Sequence, residues 1–174
     1  MTTHLILGGA RSGKSAYAEK LAAESELAVT YIATAQVYDD EFGQRVAHHK
    51  VRRPSDWQTV EVPHKLAETL VAEASENRCL IIDCLTLWLA QCICPECAPP
   101  EGVDWALQRK QLLETLPSLP GKIIMVSNEV GMGIVPLGEI NRLFQDEAGR
   151  LNQAVAAISN EVLFIAAGLP LKLK

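Results

Sequence analysis

No stretch of this 174-residue sequence is both long and apolar enough to cross a bilayer as a helix. The longest apolar run, Leu80 to Ile93, contains Asp83 and Gln91 and falls short of the roughly 20 residues a span requires. The N-terminal residues lack a basic segment followed by an apolar core and a small-residue cleavage site, and the apolar residues from Leu5 onward read as a short strand. The expectation is a cytoplasmic protein with no membrane insertion. Basic charge is not in excess either: 16 Lys and Arg stand against 21 Asp and Glu, a formal net charge of -5. Aromatic residues are scarce at 5% and do not interleave with basic ones, so a nucleic-acid partner is not expected.

Cysteine is sparse and odd in number. Of five, Cys79 and Cys84 sit in an apolar run and read as reduced, buried thiols. Cys92, Cys94 and Cys97 form a tight Cys-x-Cys-x-x-Cys. Three thiolates could hold zinc, but a structural site wants four ligands and no fourth Cys or His stands nearby. A variable surface loop and a redox pair are the other readings. Repeats, low-complexity tracts and long linkers are also lacking. With nearly half its residues apolar, the chain can bury one substantial core, and residues 1–174 read as a single domain.

What is present alternates between short β-rich runs and helical patterns. Strands are predicted at His4–Gly9, Val29–Ala33, Gln58–Val62, Cys79–Asp83, Lys122–Ser127 and Glu161–Ala166, the last closing the series. Helices are predicted at Lys14–Ala23, from Asp39 to about Arg52, at Lys65–Ala74, Asp104–Leu116 and Glu139–Ile158. In the last, Ile140, Leu143, Phe144, Ala148, Leu151, Val155 and Ile158 follow the 3.6-residue period. Strands apolar throughout and alternating with helices indicate a mostly parallel sheet covered on both faces. The fold class is α/β: three-layered, doubly wound and P-loop NTPase-like, of the RecA-like type.

Gly8-Gly9-Ala10-Arg11-Ser12-Gly13-Lys14-Ser15 is a P-loop pattern, standing where such a loop must stand, between an apolar strand and a helix. Glycines let the backbone N–H groups ring the phosphates, Lys14 reaches the β- and γ-phosphate oxygens, and the Ser15 hydroxyl is a ligand for Mg²⁺. Asp83 follows four apolar strand residues, where an unpartnered carboxylate would be costly. A Mg²⁺ ion held by Ser15 and Asp83, partly through water, resolves that cost, and capping of the next turn is the alternative. On a helix, Arg45, His49 and Arg52 share one face, with Lys50 and Arg53 close by. An imidazole among cations could act as base or nucleophile, while such a run also occurs as a solvated helix face.

Further blocks carry a resemblance: Tyr-Ile-Ala-Thr-Ala at 31–35, Asp39-Asp40-Glu41 running into His48-His49-Lys50, and Asp83-Cys84-Leu85-Thr86 with Trp88. Asn128-Glu129-Val130-Gly131-Met132-Gly133-Ile134-Val135-Pro136 and Gly149-Arg150-Leu151-Asn152-Gln153 extend it. With the P-loop, these resemble, in order and over nearly the whole chain, the bifunctional adenosylcobinamide kinase/adenosylcobinamide-phosphate guanylyltransferase family of cobalamin biosynthesis. The resemblance implies ATP, GTP and adenosylcobinamide as substrates, with Mg²⁺ as cofactor. One reaction would phosphorylate adenosylcobinamide, and the other would move GMP from GTP through a guanylylated histidine, His49. Beyond Gly8–Ser15, nucleotide contacts are implied for Ala33, Thr34, Ala35, Lys50, Val51, Arg52, Arg53, Glu61 and Asp83. Catalytic roles are implied for His49, Lys14 and Asp83. A homo-oligomer, a trimer, is implied as well.

Several residues keep two readings. Glu61 could accept hydrogen bonds from a guanine edge or ribose, or be an exposed strand-end carboxylate. Glu129 could hold Mg²⁺ or the acceptor hydroxyl, or shape a turn. Trp88 reads as core or subunit contact, and Arg150 as the solvated partner of Asp146 one turn earlier. The Cys92–Gly102 connection matches no block of the resemblance. Two other functions compete: a P-loop kinase of another small molecule, and a P-loop ATPase acting as a binding or motor module.

Overall fold

Successive strands carry apolar side chains on both faces, which obliges helices to cover both sides of the sheet. The computed structural model describes residues 2–34, 54–95, 97–99 and 101–174. In chain order the elements are β1 (Thr2–Gly8), α1 (Lys14–Ala23), β2 (Ala28–Ala33), β3 (Gln58–Glu61), α2 (Leu66–Glu73), β4 (Arg78–Asp83), α3 (Leu85–Ile93) and α4 (Trp105–Thr115). A 3₁₀ turn (Leu116–Ser118), β5 (Lys122–Asn128), α5 (Glu139–Ile158), β6 (Glu161–Ala166) and β7 (Leu169–Lys172) complete it. The sheet order is β3-β2-β4-β5-β1-β6-β7, parallel except for the antiparallel β6–β7 pair. The α/β reading holds.

The two-residue period of the strands sorts the core into two halves. Leu5, Leu7, Leu80, Ile82, Ile123 and Met125 face a cluster built with Leu66 and Leu70 of α2, Trp88 of α3, Leu112 of α4, and Leu151 and Val155 of α5. Ile6, Ile81, Ile124 and Val126 point the other way, against Ala18 and Ala22 of α1. Small alanines let α1 lie close on the sheet, which brings its N-terminus over the end of β1.

Three expectations are corrected, at the segment after Asp83, at the last strand and at the partner of Arg150. Residues 85–93 form α3, which sequence reading did not find. Leu85, Thr86, Trp88, Leu89, Gln91 and Cys92 are all buried, so the helix lacks the polar face that makes a 3.6 period visible. The strand series does not close at Ala166: β7 follows as an exposed edge, with Pro170 tolerated because an edge strand need not donate on its outer side. The apolar stripe of α5 is buried only in its later turns, at Ala148, Leu151 and Val155, while Ile140 and Leu143 are 45% and 44% exposed. The helix predicted from Asp39 to about Arg52 lies outside the described residues.

Trp88 belongs to the core, fully buried, with its indole N–H donating to the His64 carbonyl at 2.6 Å and its ring meeting Trp105 edge-on. Arg150 pairs with Glu147 at 2.6 Å and not with the expected Asp146. Glu147 is shared: the Trp105 indole donates to it at 2.7 Å and Arg109 at 3.0 Å, which ties α4 to α5. Burial pushes the Glu147 carboxyl up, but the bonds from Trp105 and Arg150 and the charges of both arginines outweigh it and hold it below its ordinary value. A lowered folded pKa means stabilisation that is present above the unfolded carboxylate's pKa and lost as pH falls through the folded one. Glu147→Gln should therefore cost about 1 kcal/mol near neutral pH, and urea unfolding should show the two proteins converging in acid.

Candidate active site

The phosphate-loop sequence folds as its composition requires. Gly8 has φ +151°, and a Cβ there would collide with the Ile165 carbonyl oxygen of the neighbouring strand. Gly13 has φ +101°, and its Cβ would sit 3.1 Å from Gly168 Cα. The Gly168 N–H donates to the Ser12 carbonyl at 2.8 Å, so the β6–β7 turn forms a floor beneath the loop. That hairpin thus has a purpose the sequence did not disclose. Gly9, Ala10 and Arg11 complete the arch, with Ala10 and Arg11 exposed and Arg11 at φ 56°.

The loop opens directly into α1. Gly13 stands at the N-cap and has no side chain to offer, which leaves first-turn N–H groups for an anion, where the helix dipole favours one. Lys14 is only 7% exposed, and its Nζ donates to the Gly9 carbonyl at 2.6 Å, folding the ammonium over the loop. Burial lowers its pKa, with Cys84 and Asp83 pulling the other way. Ser15 follows at the first turn, half-buried.

Strand register brings the remaining described candidates to the same edge. Gly8 pairs with Asn128 and with Ile165, while Ala33 pairs with both Glu61 and Asp83. Asp83 ends β4, separated from β1 by the single strand β5, about 10 Å in all. Its Oδ2 accepts the Tyr31 hydroxyl at 2.6 Å. The Asp83–Cys84 peptide is cis. Thr34 is fully buried: its Oγ1 donates to the Cys84 carbonyl at 2.7 Å and accepts the Cys84 N–H at 2.8 Å, locking the ends of β2 and β4 together. Glu61 ends β3 and is exposed.

Beside the loop, Thr86 Oγ1 accepts the Asn128 N–H at 2.6 Å and meets the Ser127 hydroxyl at 3.1 Å. The Glu129 N–H donates to the Gly8 carbonyl at 3.0 Å. Sequence reading assigned no role to Tyr31, Thr86 or Ser127. Tyr31 stands in a run of strand residues, and only the fold shows its hydroxyl aimed at Asp83.

Ser15 and Asp83 offer hard oxygen donors, the kind Mg²⁺ accepts together with phosphate oxygens and water. Among the described residues no three His, Cys, Asp or Glu side chains gather to hold a metal by themselves. Cys92 is buried in α3 and burial pushes its thiol up to about 12, while Cys94 and Cys97 are half-buried beyond the helix end. These three thiols do not converge as a zinc site would require. Ala35, His48, His49, Lys50, Val51, Arg52 and Arg53 lie outside the described residues.

The same architecture occurs in distant proteins. The RadB recombinase superposes with a TM-score of 0.52 at 12% identity, over 94% of this chain and 73% of that one. An ATPase from the type III secretion system of pathogenic bacteria gives 0.52 at 13%, over 98% of this chain and 56% of that one. At such identities the likeness concerns the fold alone, and it supports the RecA-like class. Sequence relatives are far nearer. The bifunctional adenosylcobalamin biosynthesis protein CobP of Pseudomonas aeruginosa is 57% identical over 98% of this chain and 96% of its own length. The corresponding CobU proteins of Escherichia coli and Salmonella typhimurium are 38% and 37% identical, each covering 98% of both chains. Residues 4–173 match the family described as cobinamide kinase / cobinamide phosphate guanyltransferase. A P-loop, an acidic strand end and a full-length match all converge: the chain belongs to the cobinamide kinase / cobinamide phosphate guanyltransferase family.

Proposed function

We propose that this enzyme phosphorylates the aminopropanol hydroxyl of adenosylcobinamide with ATP or GTP, then transfers GMP from GTP to the new phosphate. The products of the second reaction are adenosyl-GDP-cobinamide and pyrophosphate. The observation that carries the reading is the meeting of Gly8–Ser15, Ala33, Thr34, Glu61 and Asp83 at one sheet edge in a chain of this family. In the first reaction the acceptor hydroxyl oxygen attacks the γ-phosphorus, its proton passes to solvent, and the bond from the γ-phosphorus to the β-phosphate oxygen breaks. Lys14 and the α1 N-terminus neutralise the charge that spreads over the phosphoryl oxygens. Mg²⁺, held by Ser15 and Asp83 partly through water, would supply further charge neutralisation across the phosphates.

In the second reaction a His49 ring nitrogen attacks the α-phosphorus of GTP and pyrophosphate departs. The acceptor phosphate then displaces the histidine. Lys50, Arg52 and Arg53 would compensate the phosphate and pyrophosphate charge, with Val51 between them. Ala33, Thr34, Ala35 and Glu61 would flank the nucleotide, Glu61 toward a base edge or ribose. The reading takes the protein as one cytoplasmic domain that assembles into a homo-oligomer, a trimer. Met132, Ile134, Val135 and Leu137 are 65–96% exposed, and such apolar surface supports a subunit contact.

The test follows products. With ATP and adenosylcobinamide the protein should form the phosphate ester, and addition of GTP should then release pyrophosphate with formation of the GDP derivative. Absence of phosphate transfer from either nucleotide would overturn the reading.

A further inference from the structure

Gly149 sits in the middle of α5, where glycine weakens a helix relative to alanine. Neither usual structural demand for glycine applies. Its backbone is helical, and an added Cβ would find no atom within 4 Å. It borders a cleft of about 410 Å³ that Leu7, Glu129, Asn152, Gln153, Ala156 and Val162 also line, together with Leu173 and Lys174 of the C-terminal tail. The cleft begins where the phosphate loop begins. Leu7 precedes Gly8, and the Glu129 N–H is bound to the Gly8 carbonyl. It opens on the α5 side of the sheet, the face opposite α1.

A second, independent observation concerns polarity. Asn152 is 5% exposed, and its Nδ2 donates to the Asn128 carbonyl at 3.2 Å. Its Oδ1 is buried with no hydrogen-bond partner among the described residues. A buried acceptor left unmatched is costly, and a turn of the Asn152 amide toward a ligand donor in the cleft would relieve that cost. Glu129 adds a carboxylate, whose Oε1 is fixed by the Gly131 N–H at 2.7 Å, and Gln153 adds an amide. Leu7 and Val162 supply an apolar wall. The Lys174 ammonium is held on the Ala156 and Ala157 carbonyls, at 3.1 and 2.9 Å. Such a cleft is rich in acceptors and suits an uncharged or weakly cationic ligand bearing hydroxyl or primary-amide donors on an apolar body.

We infer that this cleft is the acceptor subsite, kept open by Gly149, in which Glu129, Asn152 and Gln153 hold the amide-bearing rim of a cobinamide beside the phosphate loop. The inference rests on the kinase reading above and names the part of the protein that holds its second substrate. It also gives a use to the Gly149-Arg150-Leu151-Asn152-Gln153 block, which nucleotide binding leaves unexplained.

The experiment titrates cobinamide, followed by its visible absorbance, into wild type, Gly149→Ala and Gly149→Leu, with and without a non-hydrolysable ATP analogue. Leucine should weaken cobinamide binding about tenfold and alanine about threefold. The KM for cobinamide should rise in step, with the KM for ATP unchanged. Should the leucine variant fail to fold, the alanine variant decides, since alanine favours the helix and enters open space. Cobinamide binding equal to wild type in the folded variants would overturn the subsite. If wild type itself neither binds nor phosphorylates cobinamide, the functional reading fails instead, and the two failures are thus told apart.

Discussion

Replacing His49 with asparagine is expected to lower GMP transfer more than about 10⁴-fold while leaving the phosphorylation step within about threefold of wild type. An amide nitrogen has its lone pair delocalised into the carbonyl and cannot attack phosphorus, so the two-step route through a phosphoramidate closes. The kinase step needs no imidazole, because there the acceptor oxygen itself attacks the γ-phosphorus. The split is therefore diagnostic: separate assays with γ-labelled ATP and α-labelled GTP on one preparation would read it. Equal loss of both activities would mean that residue 49 supports folding or shared nucleotide binding. Retention of both would remove it from the chemistry and turn attention to His48.

Removing the ammonium of Lys14 should have the second-largest effect. Lys14→Ala is expected to lower kcat/KM for phosphorylation about 10³-fold, the scale of losing one pre-aimed charge in a water-poor site. Lys14 is buried and its Nζ is held on the Gly9 carbonyl at 2.6 Å, so the charge stands over the loop before a nucleotide arrives. Lys14→Arg should recover little, since a planar fork does not fit where a compact point charge is required. Little stability should be lost, because a desolvated cation is itself costly to keep. A phosphorylation rate within tenfold of wild type, measured at saturating cobinamide, would mean that this loop does not cradle the transferred phosphate.

Both predictions draw on positions legible in the sequence, for different reasons. Gly8–Ser15 could be read because phosphate binding constrains consecutive residues, so the whole cradle lies in one short string. Asp83 stands out because a carboxylate straight after Leu80-Ile81-Ile82 conflicts with burial unless something compensates it, and the structure supplies the Tyr31 hydroxyl as one partner. The role proposed for His49 rests on the resemblance, since a histidine among cations is by itself more often a solvated helix face.

Other features were illegible for equally definite reasons. The α3 helix is buried all round, and an unbroken apolar run shows no helical period. The β7 strand is short, exposed and carries Pro170, so it looks like a tail; its use appears only when Gly168 is seen beneath Ser12. The period of α5 identified an apolar side correctly without revealing that its first turns lie uncovered. Tyr31 meets Asp83 across two strands, and Gly149 and Glu129 line one cleft from a helix and a loop. Contacts between residues distant in sequence leave no local trace.

The proposed chemistry requires one chain to combine a phosphate loop with a histidine that carries GMP. The most direct measurement is to incubate the protein with α-labelled GTP and Mg²⁺, without cobinamide, and to map the label by peptide mass spectrometry. The predicted result is one GMP on His49, acid-labile and stable to base, discharged on addition of adenosylcobinamide phosphate. GMP transfer to that acceptor with no labelled protein, or with the label on another residue, would contradict it.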